Sequence, residues 1–417
     1  MFSVPLSASA EGRVGPPGRV GPPGALPHPA EGRGSPGGAG WGPESAGCVD
    51  DDVPDAVGRV LDRFLDHRVA RAAAADGTFA VDVARRVAEF TRSGGKRTRG
   101  QFLWWAMRAC GRGDGPVGAA LATAAALELL QTCALVQDDV MDGSATRRGR
   151  PALHLDVAAQ YAPGAGGRGA ADLGAAAGVL AGDLALAWAD DLAAAAQTEL
   201  RPRAGALVRE VWSDLRTELV AGQYADVHGQ VTRSRSPGRA VRTARLKSAM
   251  YSVERPVHLG AVLAGADPGQ VAELRRAGRC AGIAFQLKDD LDGVFGDPAR
   301  IGKPCGEDVR AGKPTYLVTV AHARAAARGD RASSSVLERC LGDPDLDDGG
   351  LAEVREVLVG TGAVAAVRSR IERLSARSAE HLERARPTGP GAGRLADLLR
   401  AAAGLPPAGA GGAGATR

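Results

Sequence analysis

Apolar residues recur at three- and four-residue spacing through most of this chain. The clearest stretches are residues 119–136, 171–197 and 204–229, where Ala, Leu and Val hold the recurring positions and charged residues fill the gaps. That period marks helices with a buried face, and no stretch shows the strict alternation of a half-buried strand. Breakers separate the periodic stretches: Gly94-Gly95, the runs 111–116 and 163–167, Ser236-Pro237-Gly238, Asp267-Pro268 and Asp297-Pro298. The pattern predicts an all-α domain of long helices over residues 49–403. Faces of Ala and Leu let helix axes approach closely, which suits a chain with only 4% aromatic residues.

Composition changes the picture at the ends. Of 417 residues, 58 are Gly and 25 Pro, and residues 1–48 alone hold 12 of the Gly and 9 of the Pro. Such a segment cannot bury enough apolar surface to offset the entropy of ordering. Residues 1–48 and 404–417 are therefore expected to be disordered tails. The 52 Lys+Arg against 48 Asp+Glu leave a net charge of +4. A dedicated nucleic-acid binder would carry a basic stripe, and no concentrated patch is expected here. No uninterrupted apolar run reaches the ~20 residues that span a bilayer, so no transmembrane segment is expected. The N-terminus lacks the basic and apolar regions of a secretory signal. Six cysteines without close pairs read as reduced thiols of a cytoplasmic protein, and the seven histidines are isolated and show no zinc spacing.

Two acidic clusters stand out against this background. The first, Asp138-Asp139-Val140-Met141-Asp142, closes the apolar stretch 125–136. Asp138 and Asp142 are one helical turn apart, about 6 Å between carboxylates, and at an effective dielectric of 20 they repel by ~3 kcal/mol. A hard divalent cation bound to carboxylate and phosphate oxygens would remove that cost. Taken singly, such a cluster also fits a solvated helix end; Asp190-Asp191, which lacks a third carboxylate, is read that way. The second cluster, Asp289-Asp290-Leu291-Asp292, follows about 150 residues later at the end of another small-apolar stretch, 280–285. Two facing carboxylate sets suit several metal ions around one polyphosphate. Cations stand at suggestive places: Lys96, Arg97 and Arg99 after two glycines, just before a helix expected near Gln101, and Arg147, Arg148 and Arg150 after the first cluster. Lysine, arginine and helix-start amides suit a diphosphate, and each group alone also fits an ordinary basic loop.

Together these residues resemble the trans-isoprenyl (polyprenyl) diphosphate synthases, and in particular geranylgeranyl diphosphate synthases. The matching motifs are GGKRTR (94–99), DDVMD (138–142) with TRRGRP (146–151), GQYAD (222–226), RLKS (245–248), and FQLKDDLDGVFGD (285–297) with Gly302-Lys303 and Gly312-Lys313. The resemblance implies a bundle of long helices around a central cavity. It also implies Mg2+, three per active site, and condensation of isopentenyl diphosphate with an allylic diphosphate. By the same resemblance Asp138 and Asp142, with Asp139 beside them, and Asp289 and Asp290 opposite would be the catalytic carboxylates. The metal ligands among them would be Asp138, Asp142, Asp289 and Asp290. Arg147, Lys247 and Lys303 would bind the allylic diphosphate, and Lys313 would be a further substrate-binding residue. Lys96, Arg99, Arg148 and Gln131 would bind isopentenyl diphosphate, and Ser248 and Gln286 would sit near the carbocation. Gly293 stands where many members have a third Asp, and Asp292, one residue early, would point away from the ligand face. Homodimerisation is a further expectation.

In the family, bulky residues four and five places before the first Asp limit product length. Here Ala134 and Cys133 are small and Leu130 lies a turn deeper, which favours geranylgeranyl diphosphate (C20). Two alternatives stay open at this point: a class I terpene cyclase, which lacks the GGKxxR element and carries a different second metal motif, and a non-catalytic subunit of a prenyl synthase.

Overall fold

Side-chain caps start many of the helices that the apolar period predicts. Asp52 accepts from the Asp55 amide at 2.9 Å, Asp267 from those of Gly269 and Gln270, and Thr315 from that of Val318. Pro202, Pro237 and Pro268 occupy first turns, where the missing amide costs nothing. The computed structural model describes residues 45–111, 113–297 and 305–406. Among these the fold is helical, as expected, apart from a small antiparallel ribbon that pairs Thr146–Arg147 with Arg150–Pro151.

The long helix Val117–Asp142 lies at the centre. It is apolar nearly all round, as a helix buried on every side must be. Val53–Ala75, Thr98–Cys110 and the long stretch Leu153–Thr198 surround it and form the larger core. A second, smaller core gathers Leu287 and Leu291 with Leu317, Leu337, Val354 and Leu358. The helix Pro268–Phe295 serves both: Leu274, Ala277 and Ala281 enter the larger core, and Ala284, Leu287 and Leu291 the smaller. Its C-terminal turns carry the second acidic cluster and are therefore fixed from two sides.

Between the helices Pro237–Ala244 and Arg255–Leu263 the backbone widens into a π-helix, Arg245–Glu254. Two glycines let neighbouring helices touch its main chain. A Cβ on Gly222 would lie 2.4 Å from the Lys247 amide nitrogen, and one on Gly282 would lie 2.7 Å from the Ala249 carbonyl oxygen. The stretch Leu153–Thr198 is broken at Gly166, whose φ of 70° and ψ of 159° suit only glycine. The chain reverses there, so that a Cβ on Gly174 would meet the His154 carbonyl at 2.2 Å.

One expectation needs correction. The first helix, Ala46–Asp51, begins inside the segment read as an N-terminal tail, because Ala46 and Val49 are buried and Asp50 accepts from the Trp104 indole at 2.8 Å and pairs with Arg108. Residues 1–44 and 407–417 lie outside the described part. Val117–Asp142 and Gly166–Thr198 are both long and apolar enough to cross a membrane by length and composition, a test that buried core helices also pass, so the expectation of no transmembrane segment is not overturned. The first is 83% buried inside the protein and the second only 39%.

Candidate active site

The ends of these helices enclose a cavity of about 1530 Å3. One wall comes from the last turns of Val117–Asp142. Asp138 and Asp142 both line the cavity, whereas Asp139, about 100° further round the helix, is turned into the protein and ion-paired with Arg147, whose Nε donates to its Oδ1 at 2.8 Å. Gly143, with φ 63°, ends the helix and allows the turn into the ribbon that carries Arg147 and Arg148. Asp139 thus holds Arg147 in place and does not face the cavity, a different position from the one the motif suggested.

Lys247 reaches in from the π-helix. Its ammonium group lies 2.9 Å from Asp138 Oδ1 and 2.6 Å from Asp226 Oδ2, and the Gln223 amide donates to Asp138 at 2.8 Å. Burial works to raise the Asp138 pKa, but Lys247, Lys313 and Gln223 together hold it below the usual carboxylate range. Burial likewise disfavours the charged form of Lys247, and Asp226 and Asp138 outweigh it. Lys313 lies 2.7 Å from Asp142 Oδ2 and 4.0 Å from Asp308.

The opposite wall carries the second cluster. Asp289 and Asp290 line the cavity, and Asp292 turns away to pair with Lys288, as its one-residue offset predicted. Asp290 is buried, accepts from Gln286 Nε2 at 2.9 Å and is pushed up to about 7 by burial, with Asp308 and Asp289 adding to the rise. Among the described residues no three acidic, His or Cys side chains lie close enough to hold an ion unaided. The donors in reach are all hard oxygens, and ammonium groups already sit among them, so the site stabilises cations. That set fits Mg2+, whose coordination shell substrate phosphate oxygens and water would complete.

Basic residues form a third wall. Lys96, Arg99 and Arg148 line the cavity with Gln131 and Ser248. Arg99 stacks 4.2 Å above the Tyr251 ring and donates to Ser252 Oγ at 2.8 Å, while Arg148 lies 4.8 Å above the Phe90 ring. The Tyr251 hydroxyl is hydrogen-bonded to Gln131. Arg97 is different. It is buried, has φ 48°, pairs with Glu128 at 3.1 Å and donates to the Thr91 carbonyl at 2.8 Å, so it locks the loop. The helix that follows starts at Thr98, three residues before Gln101.

The remaining expectations divide. Gln286 lines the cavity, and Lys303 lies outside the described residues. Leu130 and Cys133 are packed in the core and Ala134 is half-buried; the cavity is lined instead by the neighbouring residues Gln131 and Leu135. Asp190, read as surface, accepts from the Trp212 indole at 2.7 Å and pairs with Arg216, while Asp191 pairs with Arg68. Tyr251, Glu307 and Asp308 were not singled out in the sequence, and no motif spacing marks them. Asp226 was visible only as the last residue of GQYAD.

Comparisons with known proteins identify the family. Residues 82–357 match the family model for polyprenyl synthetases. The geranylgeranyl pyrophosphate synthase of Corynebacterium glutamicum, solved with isoprenyl diphosphate and magnesium, superposes with a TM-score of 0.79 at 33% identity, over 85% of this chain and 98% of that one. A short chain isoprenyl diphosphate synthase of Methanothermobacter thermautotrophicus is 29% identical over 65% of this chain and 74% of its own. The farnesyl diphosphate synthase of Geobacillus stearothermophilus is 31% identical over 64% and 84%. The relatives differ in product but share one reaction, and the chain belongs to the polyprenyl synthetase family as a prenyltransferase that performs trans-prenyl condensation.

Proposed function

We propose that the protein condenses isopentenyl diphosphate with an allylic diphosphate in a Mg2+-dependent reaction and releases geranylgeranyl diphosphate. The observation that carries the reading is the meeting of two carboxylate sets and a separate basic wall around one cavity. Asp138 and Asp142 on one side, and Asp289 and Asp290 on the other, would hold Mg2+. When bound, the metal supplies charge neutralisation on the departing diphosphate. Arg147, Lys247 and Lys313 stand beside those carboxylates, where they stabilise the same developing negative charge. Lys96, Arg99, Arg148 and Gln131 orient isopentenyl diphosphate, so that its double bond attacks the allylic carbon as the C–O bond breaks. The proton lost from the adjacent carbon leaves to the released diphosphate, and the alkene re-forms. Ser248 and Gln286 line the space near the cation, while Leu135, Leu246 and Phe285 exclude water that would trap it as an alcohol.

The C20 product is supported by the small Cys133 and Ala134, which lie behind the cavity wall lined by Gln131 and Leu135 and leave it uncrowded, and by the name of the Corynebacterium relative. A homodimer is supported by Leu173, Val179 and Leu180, exposed apolar side chains on a long helix that is only 39% buried. Six unpaired cysteines support a reducing, cytoplasmic setting.

The test is incubation of purified protein with Mg2+, isopentenyl diphosphate and C5, C10 or C15 allylic diphosphates. Chain elongation is the expected result; hydrocarbon release, or no turnover with any primer, overturns the reading. Asp138→Ala should lower turnover by about 10²–10³-fold or more with the helical circular dichroism signal unchanged.

A further inference from the structure

Two features at the cavity mouth take no part in this chemistry. The first is apolar. Val220, Tyr224 and Val231 on the helix Pro202–Val231 are 68%, 70% and 79% exposed, the three most exposed large apolar side chains among the described residues. Their spacing of four and seven residues sets them in one stripe along the helix. Met141 extends it across to the neighbouring helix, where its Sδ lies 3.6 Å from Gln223 Nε2.

The second is electrostatic. Residues 227–253 contain no Asp or Glu, yet hold Arg233, Arg235, Arg239, Arg242, Arg245 and Lys247. Lys247 turns inward to the carboxylates, and four of the arginines are exposed. Arg235 pairs with Glu338 at 3.0 Å, but Arg239 and Arg242 have no carboxylate partner among the described residues. They line the same mouth as Tyr224 and His228. The net charge of +4 hides this patch, contrary to the expectation of none.

An apolar stripe flanked by unpaired arginines has the chemistry of a surface that lies on a bilayer: the apolar side chains enter the headgroup–acyl boundary and the guanidinium groups meet lipid phosphates. We propose that the cavity mouth docks on an anionic lipid surface. The functional sense of this rests on the synthase reading, because a prenyl diphosphate with a long apolar tail then leaves the cavity into lipid instead of water. The docking itself does not depend on turnover.

The experiment is flotation of the full chain with vesicles of phosphatidylcholine alone and of an equimolar phosphatidylcholine–phosphatidylglycerol mixture. The protein should float only with the anionic vesicles and be released by high salt. An arginine close to an anionic bilayer contributes about fivefold in affinity. The combination Arg233→Gln, Arg239→Gln and Arg242→Gln should therefore weaken binding about a hundredfold. Val220→Ser with Val231→Ser, both outside the cavity lining, should also weaken binding and leave turnover of a short soluble primer unchanged. Failure to float with anionic vesicles, equal flotation with both vesicle types, full binding by the triple variant, or retention of a random-sequence DNA duplex in place of vesicles overturns the proposal. An active enzyme that does not float removes the docking alone; a protein that floats without elongating any primer removes the synthase reading alone.

Discussion

Asp138 and Asp139 are adjacent in sequence and do opposite things. One turns into the cavity and the other is buried against Arg147, because successive helical residues point about 100° apart. The same rule separates Cys133 and Leu130, in the core, from Gln131 and Leu135, on the cavity wall. Burial, with Asp183 and Asp190 nearby, pushes the Cys133 thiol up to about 12, so it acts as a small apolar filler. Cys133→Phe or Ala134→Phe should therefore crowd the wall from behind and shorten the main product, read by mass spectrometry of the extracted prenyl chains. An unchanged chain length would rule out this segment as the floor. Overpacking at Cys133 should also cost about 1–3 kcal/mol of stability. At this scale the sequence was readable wherever spacing within one helix decides the matter, as for Asp138, Asp142 and the diverted Asp292. It was silent on Asp308 and Tyr251, which reach their partners only through the fold, and misleading on Arg97, whose basic surroundings conceal a buried ion pair with Glu128.

The helices themselves were legible from apolar period and breakers, but the π-helix Arg245–Glu254 was not. Its residues keep an ordinary helical composition, and two other helices pack closely against its main chain through Gly222 and Gly282. Gly222 is the tightest of those contacts on the active-site side. Gly222→Ala would place a methyl group against the Lys247 backbone, which cannot yield as a side-chain tip would. The expected outcome is a loss of about 1–3 kcal/mol in urea unfolding, and a larger fall in turnover than an Ala225→Ser control, since Lys247 would be displaced from Asp138 and Asp226.

For the molecule as a whole, the near balance of charge describes a sum and not a surface. Carboxylates gather in the cavity, and a stretch without acids forms its lip. The apolar surface is divided in a similar way. Leu173, Val179 and Leu180 lie on a long helix that takes no part in lining the cavity, remote in role from the stripe at the mouth. If that helix pairs two copies, Leu180→Glu should yield a monomer by light scattering, while the wild-type chain runs at twice its 42.5 kDa mass. A wild-type monomer would refute the pairing. Neither apolar face could be assigned from the sequence, because an exposed valine and a buried one follow the same helical period.

The break at Gly166 has a practical consequence. Gly164, Gly166 and Gly167 meet no neighbouring atom within 4 Å of an added Cβ, and none of residues 153–198 lines the cavity. Exposed reversals of this kind tolerate inserted sequence. A fluorescent reporter threaded into that bend would sit on the helix proposed to join two copies, and energy transfer between differently labelled chains would follow assembly during turnover.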